Sequence, residues 1–257
     1  DTPLDPDTTF SDDPSRMLRC VRFAVGKNMT VSARVKSSIQ RNAGEIGRVP
    51  AELIRAEFMK GCLYDNYFDV MHELGLLKVL IPEVCDLIGV YQRSDYHTED
   101  AFGHTLAYVN RLPNADPLLR FAGLLHDIGK VEMPKHILNK KEELNDEEMS
   151  YLRQHPVYSE NILEPLGDMD KLTDYVRHHH EKFDGTGYPD GLKGEEISLG
   201  ARILCVADSF DAMVSDRPYS KSMTMEQAFS ELEKNAGTQF DPEIVKVFIK
   251  AMKSYAA

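Results

Sequence analysis

HHHEKFDGTGYPDGLKGEEISLGARILCVAD, residues 178–208, places three consecutive histidines, two turn signals (Asp184-Gly185 and Tyr188-Pro189-Asp190-Gly191) and a distal aspartate, Asp208, in one short stretch. Upstream lie His126-Asp127 in LLHDIGK, His155 in LRQHPVYSE and His104 in EDAFGHTL. Imidazole and carboxylate together suit borderline divalent ions such as Fe, Mn, Zn, Co or Ni, whereas softer sites take thiolates. None of the four cysteines falls near these histidines at ligand spacing. Neighbouring residues on a helix point about 100° apart, so His126-Asp127 and His179-His180 are better suited to straddling two ions than to gripping one. Two ions about 3.5 to 4 Å apart activate water and clamp a phosphoryl group for in-line displacement. The pattern therefore points to phosphate-ester hydrolysis, with His104, His126, Asp127, His155, His179, His180 and Asp208 as ligands. His72 and His136 read as ordinary histidines.

HDIGK (126–130) with HHEKFDGTGYP (179–189) resembles the paired signature of the HD-GYP branch of HD-superfamily metal-dependent phosphohydrolases. The likeness extends through HILNKKEELNDEEMSYLRQHP (136–156), GARILCVADSFDAMVSDRPY (200–219) and AGTQFDPEIV (236–245), and so covers roughly residues 97–250. It implies an all-helical domain that hydrolyses cyclic dinucleotides, chiefly cyclic di-GMP, with two or three Fe or Mn ions. A third ion in such proteins draws on an acidic residue one turn before the first histidine. Asp100 holds that place, four residues before His104 and on its face of a helix, although it is shorter than the usual Glu.

The chain's length suits one or two domains with ample core. Apolar runs such as LLKVLI and RILCVA are too short to span a bilayer, and no secretory or membrane segment is visible. Scattered cysteines (Cys20, Cys62, Cys85, Cys205) suit a reduced compartment, and a cytoplasmic protein is expected. The chain begins at Asp1 rather than Met, as a fragment would. The formal net charge is −12, yet residues 16–60 carry ten Lys/Arg against three Glu, a local +7, leaving −19 for the rest. One basic helical stretch on an acidic body points to a polyanion meeting the N-terminal part.

That stretch opens with Asp12-Asp13-Pro14-Ser15-Arg16, an aspartate cap followed by proline at the first helical position; Arg16, Arg19 and Arg22 then share a face. TPLDPDTTFSDDPSRMLRCVRFAV is similar to the start of the neck in class II tRNA nucleotidyltransferases, the CCA-adding enzymes and bacterial poly(A) polymerases. By that resemblance Asp13 and Arg16 would read the incoming CTP or ATP, with Asp12 standing where the family usually has Glu. Val31, Val35, Ile39 and Ile46, then Leu53, Ile54, Phe58 and Met59, read as apolar faces of helices, and ELGLLKVLIPEV (73–84) continues the likeness. Glu52-Leu53 departs from the family's Glu-Arg pair. No Gly-rich turn with paired catalytic carboxylates precedes residue 12, so nucleotide addition is not expected of this polypeptide. The expected organisation is all-α: a neck/body region over 1–90 that binds tRNA or other RNA, then, across a linker at 89–100, an HD-GYP-like domain over 91–257.

Roles follow from chemistry and position. Asp127 is best placed to bridge two ions, and a hydroxide between them would attack phosphorus. Lys130, one turn on, can reach a phosphate oxygen and stabilise transition-state charge. The glycines of DGTGYPDG permit tight turns beside the histidines, and Tyr188 offers a ring for a nucleobase, or the loop serves to orient the histidines. Arg217 falls where the family places a phosphate-contacting arginine, whereas Ser220 replaces a second basic residue, with Lys221 adjacent. MTMEQAFSELEKNAG and Asp241-Pro242-Glu243 read as structural closing helices. Three functions remain open: a phosphodiesterase for a cyclic dinucleotide or RNA-linked phosphate, an RNA-binding neck whose HD half acts on 2′,3′-cyclic or terminal phosphates of RNA, and a nucleotide sensor without turnover.

Overall fold

The computed structural model describes residues 4–90, 100–140, 142–167, 169–215 and 222–255. Their regular elements are helices, with an isolated bridge between Ala236 and Phe240 as the one β-type pairing among the described residues. The chain separates into two compact units, Asp1–Cys85 with Pro113–Phe121, and Asp86–Leu112 with Ala122–Ala257. None of the described helices is long and apolar enough to cross a membrane.

The first unit contains α1 (Pro6–Asp12), α2 (Ser15–Gly26), α3 (Ala33–Asn42), α4 (Ala51–Gly61), α5 (Tyr67–Glu73), α6 (Leu76–Leu80) and α7 (Pro82–Cys85). Helix α2 shows why its sequence is helical. Met17, Leu18, Val21 and Ala24 recur at helical spacing and are buried, while Arg16 on the other face is exposed. Its first helical residue is Ser15 and Pro14 takes the cap position, one residue later than the sequence suggests, with Asp13 Oδ1 accepting from the Ser15 amide at 3.1 Å and from the Ser15 hydroxyl just ahead of the helix. Helix α2 packs on α4, and α1 on α3. Phe58, Tyr67, Phe68 and Phe121 form an aromatic cluster with ring centroids 5.2–5.9 Å apart, contacts that contribute beyond their area alone.

One expectation for this unit needs correction. Leu53, read as apolar face, is exposed, and Glu57 is buried on the same helix instead. That burial is sustained by Arg22 at 2.9 Å and Lys60 at 3.0 Å, so the inward position of α4 holds a charge pair that hydrophobic periodicity does not reveal. Helix α1 is unexpected as well, although Asp5 accepts from the Thr8 amide and Pro6 stands at the first helical position.

The second unit contains α8 (Ala101–Arg111), the end of α9 (Pro117–Leu125), α10 (Lys135–Leu138), α11 (Asp146–Leu152), α12 (His155–Leu163), α13 (Asp170–Arg177), α14 (Leu199–Val214), α15 (Met225–Lys234) and α16 (Pro242–Tyr255). Helix α14 is its axis. Gly200, Ala201, Leu204, Cys205, Val206, Ala207 and Phe210 are buried, and the helix packs against α8, α13, α15 and α16, as a helix apolar nearly all round must. A 3₁₀ turn, Ile128–Glu132, lies against α12. Gly129 sits so near that helix that a Cβ would stand 2.1 Å from the His155 carbonyl oxygen and 2.5 Å from the Ser159 nitrogen. Only glycine allows that approach. Ser159 locks it, accepting from the Gly129 amide at 2.8 Å and donating to the His126 carbonyl at 3.0 Å. The His126-Asp127 pair is thereby pinned beside His155. The expected linker at 89–100 falls mostly outside the described residues.

Candidate metal centre

Three of the histidines follow closely on a helix end: His126 after α9, His155, which opens α12, three residues after α11, and His179 after α13. The last carbonyls of a helix lack intrahelical donors, and each of these rings supplies one. Nδ1 of His126 lies 2.8 Å from the Gly123 carbonyl, that of His155 2.8 Å from Leu152 and that of His179 2.6 Å from Val176. A carbonyl oxygen can only accept, so Nδ1 carries the proton and Nε2 keeps a lone pair. The same local device thus leaves the Nε2 lone pair of three imidazoles facing inward.

The inward atoms form two groups. Donor atoms of His104, His126 and Asp208 lie within 4.8 Å of one another, and so do those of His155, His179 and His180. Asp127 stands between the groups. Its Oδ2 is 3.3 Å from Nε2 of His126 and its Oδ1 is 3.3 Å from Nε2 of His155. Asp208 Oδ1 is 3.2 Å from Nε2 of His104 and 3.9 Å from that of His126. Lys130, buried at 2% exposure, sets its Nζ against Asp127 Oδ2.

These residues fit divalent ions. Nε2 of His126, His155 and His179, and Oδ1 of Asp127, are buried without a hydrogen-bond partner. Unmatched buried polar atoms are costly and uncommon, and here they converge in two ligand-sized clusters with one carboxylate between them. The donor set, imidazole and carboxylate without thiolate, suits borderline ions. Burial pushes His155 down to about 3 and His179 to about 4, and it lowers His126 and His180 as well. All four are therefore neutral at pH 7, the form that ligates. Burial alone would raise the Asp127 and Asp208 carboxyls. The neighbouring imidazoles, with Lys130 beside Asp127, outweigh it and hold both well below the usual carboxylate range.

The loop after His180 is fastened from several sides. Glu181, 1% exposed, accepts through Oε1 from the Asp190 amide at 2.7 Å and the Gly191 amide at 2.9 Å. Gly187 lies where a Cβ would meet the Lys182 nitrogen at 2.2 Å. The Tyr188-Pro189 peptide is cis. The Tyr188 ring rests 4.9 Å from the His180 ring, with the Arg153 guanidinium 5.8 Å from it.

Of the expected site residues, His104, His126, Asp127, His155, His179, His180, Asp208 and Lys130 are brought together. Asp100 joins neither group. It caps α8 through Oδ1 to the Gly103 amide and takes the Gly89 amide on Oδ2, both at 2.8 Å. Arg217, and Ser220 with Lys221, lie outside the described residues. In the first unit Asp13 and Arg16 pair with each other at 3.4 Å, and Arg22 is engaged by Glu57 rather than turned outward. Sequence reasoning missed Ser159, Glu181, Arg153, and the pair Asp211 and Arg111. For that pair a signal existed: Asp211 follows Asp208 by three residues and Arg111 follows His104 by seven, both same-face spacings on a helix.

The chain matches the HD domain family over residues 91–244, more than half its length. It belongs to the HD-domain family. Residues 28–88 match a second family, described as a probable RNA and SrmB-binding site of polymerase A. Among curated proteins the chain is 43% identical over 154 residues to cyclic di-GMP phosphodiesterase PA4108 of Pseudomonas aeruginosa, covering 58% of this chain and 37% of that one. It is 44% identical over 142 residues to a cyclic di-GMP phosphodiesterase of Thermotoga maritima (52% and 37%). It is 43% identical over 134 residues to 3′3′-cGAMP-specific phosphodiesterase 3 of Vibrio cholerae (52% and 29%). The chain thus spans between 29% and 37% of the length of these relatives. Among solved structures, Bd1817, an HD-GYP-type protein of Bdellovibrio bacteriovorus, aligns over 96% of this chain and 81% of that one with TM-score 0.50 at 16% identity, a likeness of fold.

Proposed function

We propose that the HD unit is a metal-dependent phosphodiesterase that hydrolyses a cyclic dinucleotide of the cyclic di-GMP or 3′3′-cGAMP class. The observation that carries this reading is the pair of three-residue ligand groups with Asp127 facing both. His104, His126 and Asp208 would hold one ion, His155, His179 and His180 the other, and Asp127 would serve both. Fe or Mn fits the donor set. Two ions are favoured over three because both Asp100 oxygens already accept backbone amides. Such ions supply Lewis acidity, polarising the phosphoryl group and acidifying water.

The chain's own residues do the rest. Lys130 keeps a buried positive charge beside Asp127 and stabilises negative charge that builds on the phosphoryl oxygens. Helix ends fix the imidazoles, so little rearrangement is needed as the water–phosphorus bond forms and the bond to the ribose oxygen breaks. Tyr188 and Arg153 flank the His180 side and offer a ring and a cation to a base or second phosphate; Arg217 would add a further cation. None of the four cysteines forms a disulfide, in keeping with a reduced, cytoplasmic setting. The test is metal analysis of protein purified without chelator, with assays on cyclic di-GMP, 3′3′-cGAMP, bis-(p-nitrophenyl) phosphate and 2′,3′-cyclic AMP. Two Fe or Mn per chain with turnover of a cyclic dinucleotide supports the reading. Substoichiometric metal and no turnover removes it.

A second reading concerns residues 1–90. The polymerase A match over 28–88 and the run of Lys/Arg over 16–60 favour RNA, including tRNA, at the cations of this stretch that no carboxylate holds, whether or not the HD unit acts on RNA-linked phosphates. Arg22 is unsuitable as a probe because Glu57 holds it. Reversal of Arg19 and Arg55 should abolish a salt-sensitive affinity for tRNA, and unchanged affinity would count against the RNA role.

A further inference from the structure

His104 differs from its fellow ligands. It lies inside α8 rather than after a helix end, where backbone carbonyls are engaged by the amides of the next turn. What stands next to its Nδ1 is a carboxylate. Oδ2 of Asp211 is 2.8 Å from Nδ1, while Oδ1 of Asp208 is 3.2 Å from Nε2 at the opposite edge of the same ring. Helix α14 therefore brackets one imidazole with two carboxylates three residues apart. Asp211 is fully buried, and its other oxygen is paired with Arg111, which extends from the last turn of α8. The Ser215 hydroxyl lies 3.4 Å from Oδ2. A buried carboxylate is expensive without such company, and Asp211 belongs to neither ligand group.

We propose that Asp211, held by Arg111, is the positioning residue for His104: it accepts the Nδ1 proton, turns Nε2 toward the ion, and so tunes one of the two metal positions independently of the other. The inference rests on the two-ion reading above. Its physical basis is that a ligating histidine donates its second N–H to a fixed acceptor, and that a carboxylate in that role raises the basicity of the ligand. The two positions then differ in kind. The His155, His179 and His180 position draws on three imidazoles, two of them backed by helix-end carbonyls. The other position has one imidazole, His126, backed by a helix-end carbonyl, and a second, His104, backed by a side-chain carboxylate that a single substitution can remove.

The experiment is a titration of metal-free protein with Mn(II) alone, with free ion read by electron paramagnetic resonance and affinities fixed by chelator competition. Wild type should take up two ions in resolvable steps. Asp211→Asn preserves size and should weaken one step by about 10- to 100-fold, the range for loss of an outer-shell partner, while the other stays within about threefold. In an Asp208→Ala background, which already disables that position, Asp211→Asn should have no further effect on the remaining ion. Arg111→Gln should weaken the same step by a smaller factor, and it answers the question if Asp211→Asn fails to fold. A purely structural role would lower the melting temperature of the metal-free protein and affect both steps together. Two steps that respond alike, or not at all, overturn the proposal while leaving the two-ion centre intact. A wild type that takes up no Mn(II) overturns both.

Discussion

The two units treat buried charge in opposite ways. In the N-terminal unit nearly every buried charge meets its partner within the fold: Glu57 lies between Arg22 and Lys60, and fully buried Arg120 reaches Asp65 at 2.8 Å and the Tyr64 carbonyl at 3.3 Å. In the HD unit, by contrast, inward imidazole and carboxylate atoms converge and remain unmatched. The first arrangement pairs its buried carboxylate and guanidinium without a ligand. The second would be matched by bound ions, since isolated buried polar atoms oppose folding. Chemistry therefore belongs to the HD unit, and charge in the other unit acts first as scaffold.

The strongest way to break that contrast is to remove the residue that faces both ligand groups. Asp127→Ala should cost both ions their shared ligand, lowering bound metal below one per chain and reducing hydrolysis by more than about 10³-fold. Elemental analysis and the cyclic dinucleotide assay read it. Retained metal with retained turnover would mean that the centre does not need a bridge. Lys130→Ala sharpens the same point. With metal content unchanged, kcat should fall by about 10²-fold, the scale for loss of one electrostatic donor, and KM should move much less. Metal lost along with rate would assign Lys130 to charge balance at Asp127 instead.

The opposite result is expected of Arg22→Ala. It leaves Glu57, 5% exposed, with Lys60 alone, and should destabilise the protein by about 1–3 kcal/mol. Denaturant titration measures that loss. Hydrolysis should stay within about twofold, and a larger loss of rate would blur the division between scaffold and site.

Much of the metal centre is legible in the amino-acid sequence alone. Residue type and spacing pick out the histidines and aspartates that the fold brings together, since doublets such as His126-Asp127 and His179-His180 carry their meaning locally, and the signature loops are contiguous. What stays hidden depends on contacts between segments. Asp100 reads as a ligand by its place before His104, yet a carboxylate at a helix start is equally a cap, and here the Gly103 and Gly89 amides claim both oxygens. Asp211 and Arg111 sit on suitable helix faces, but only the packing of α8 on α14 brings them to one imidazole. Leu53 is exposed where an apolar face is expected, and Glu57 is buried on the same helix because Arg22 from another helix makes the buried carboxylate tolerable. Periodicity sees one helix at a time, so partners supplied by another helix escape it.

The smallest expected effect separates two adjacent histidines. His179 is buried among other imidazoles and lowered to about 4, whereas burial of His178 is outweighed by Asp174 and Asp190, each 2.9 Å from a ring nitrogen, which raise it. Their contributions to metal-free stability then run in opposite directions with pH. A histidine lowered to about 4 takes up its proton more readily in the unfolded chain, so stability declines as pH falls from about 6.5 toward that value. A raised histidine contributes fully below about 6.5 and loses that contribution as pH rises through its folded value. His178→Gln should therefore lower the melting temperature of chelator-treated protein by about 2 °C at pH 6 and by distinctly less at pH 8.5. An equal deficit at both pH values would show that His178 holds the loop through Asp190 by shape rather than by charge. The contrast between paired and unmatched charge would then apply between the units but not within the HD unit, at the point where the chain passes from His178 to His179.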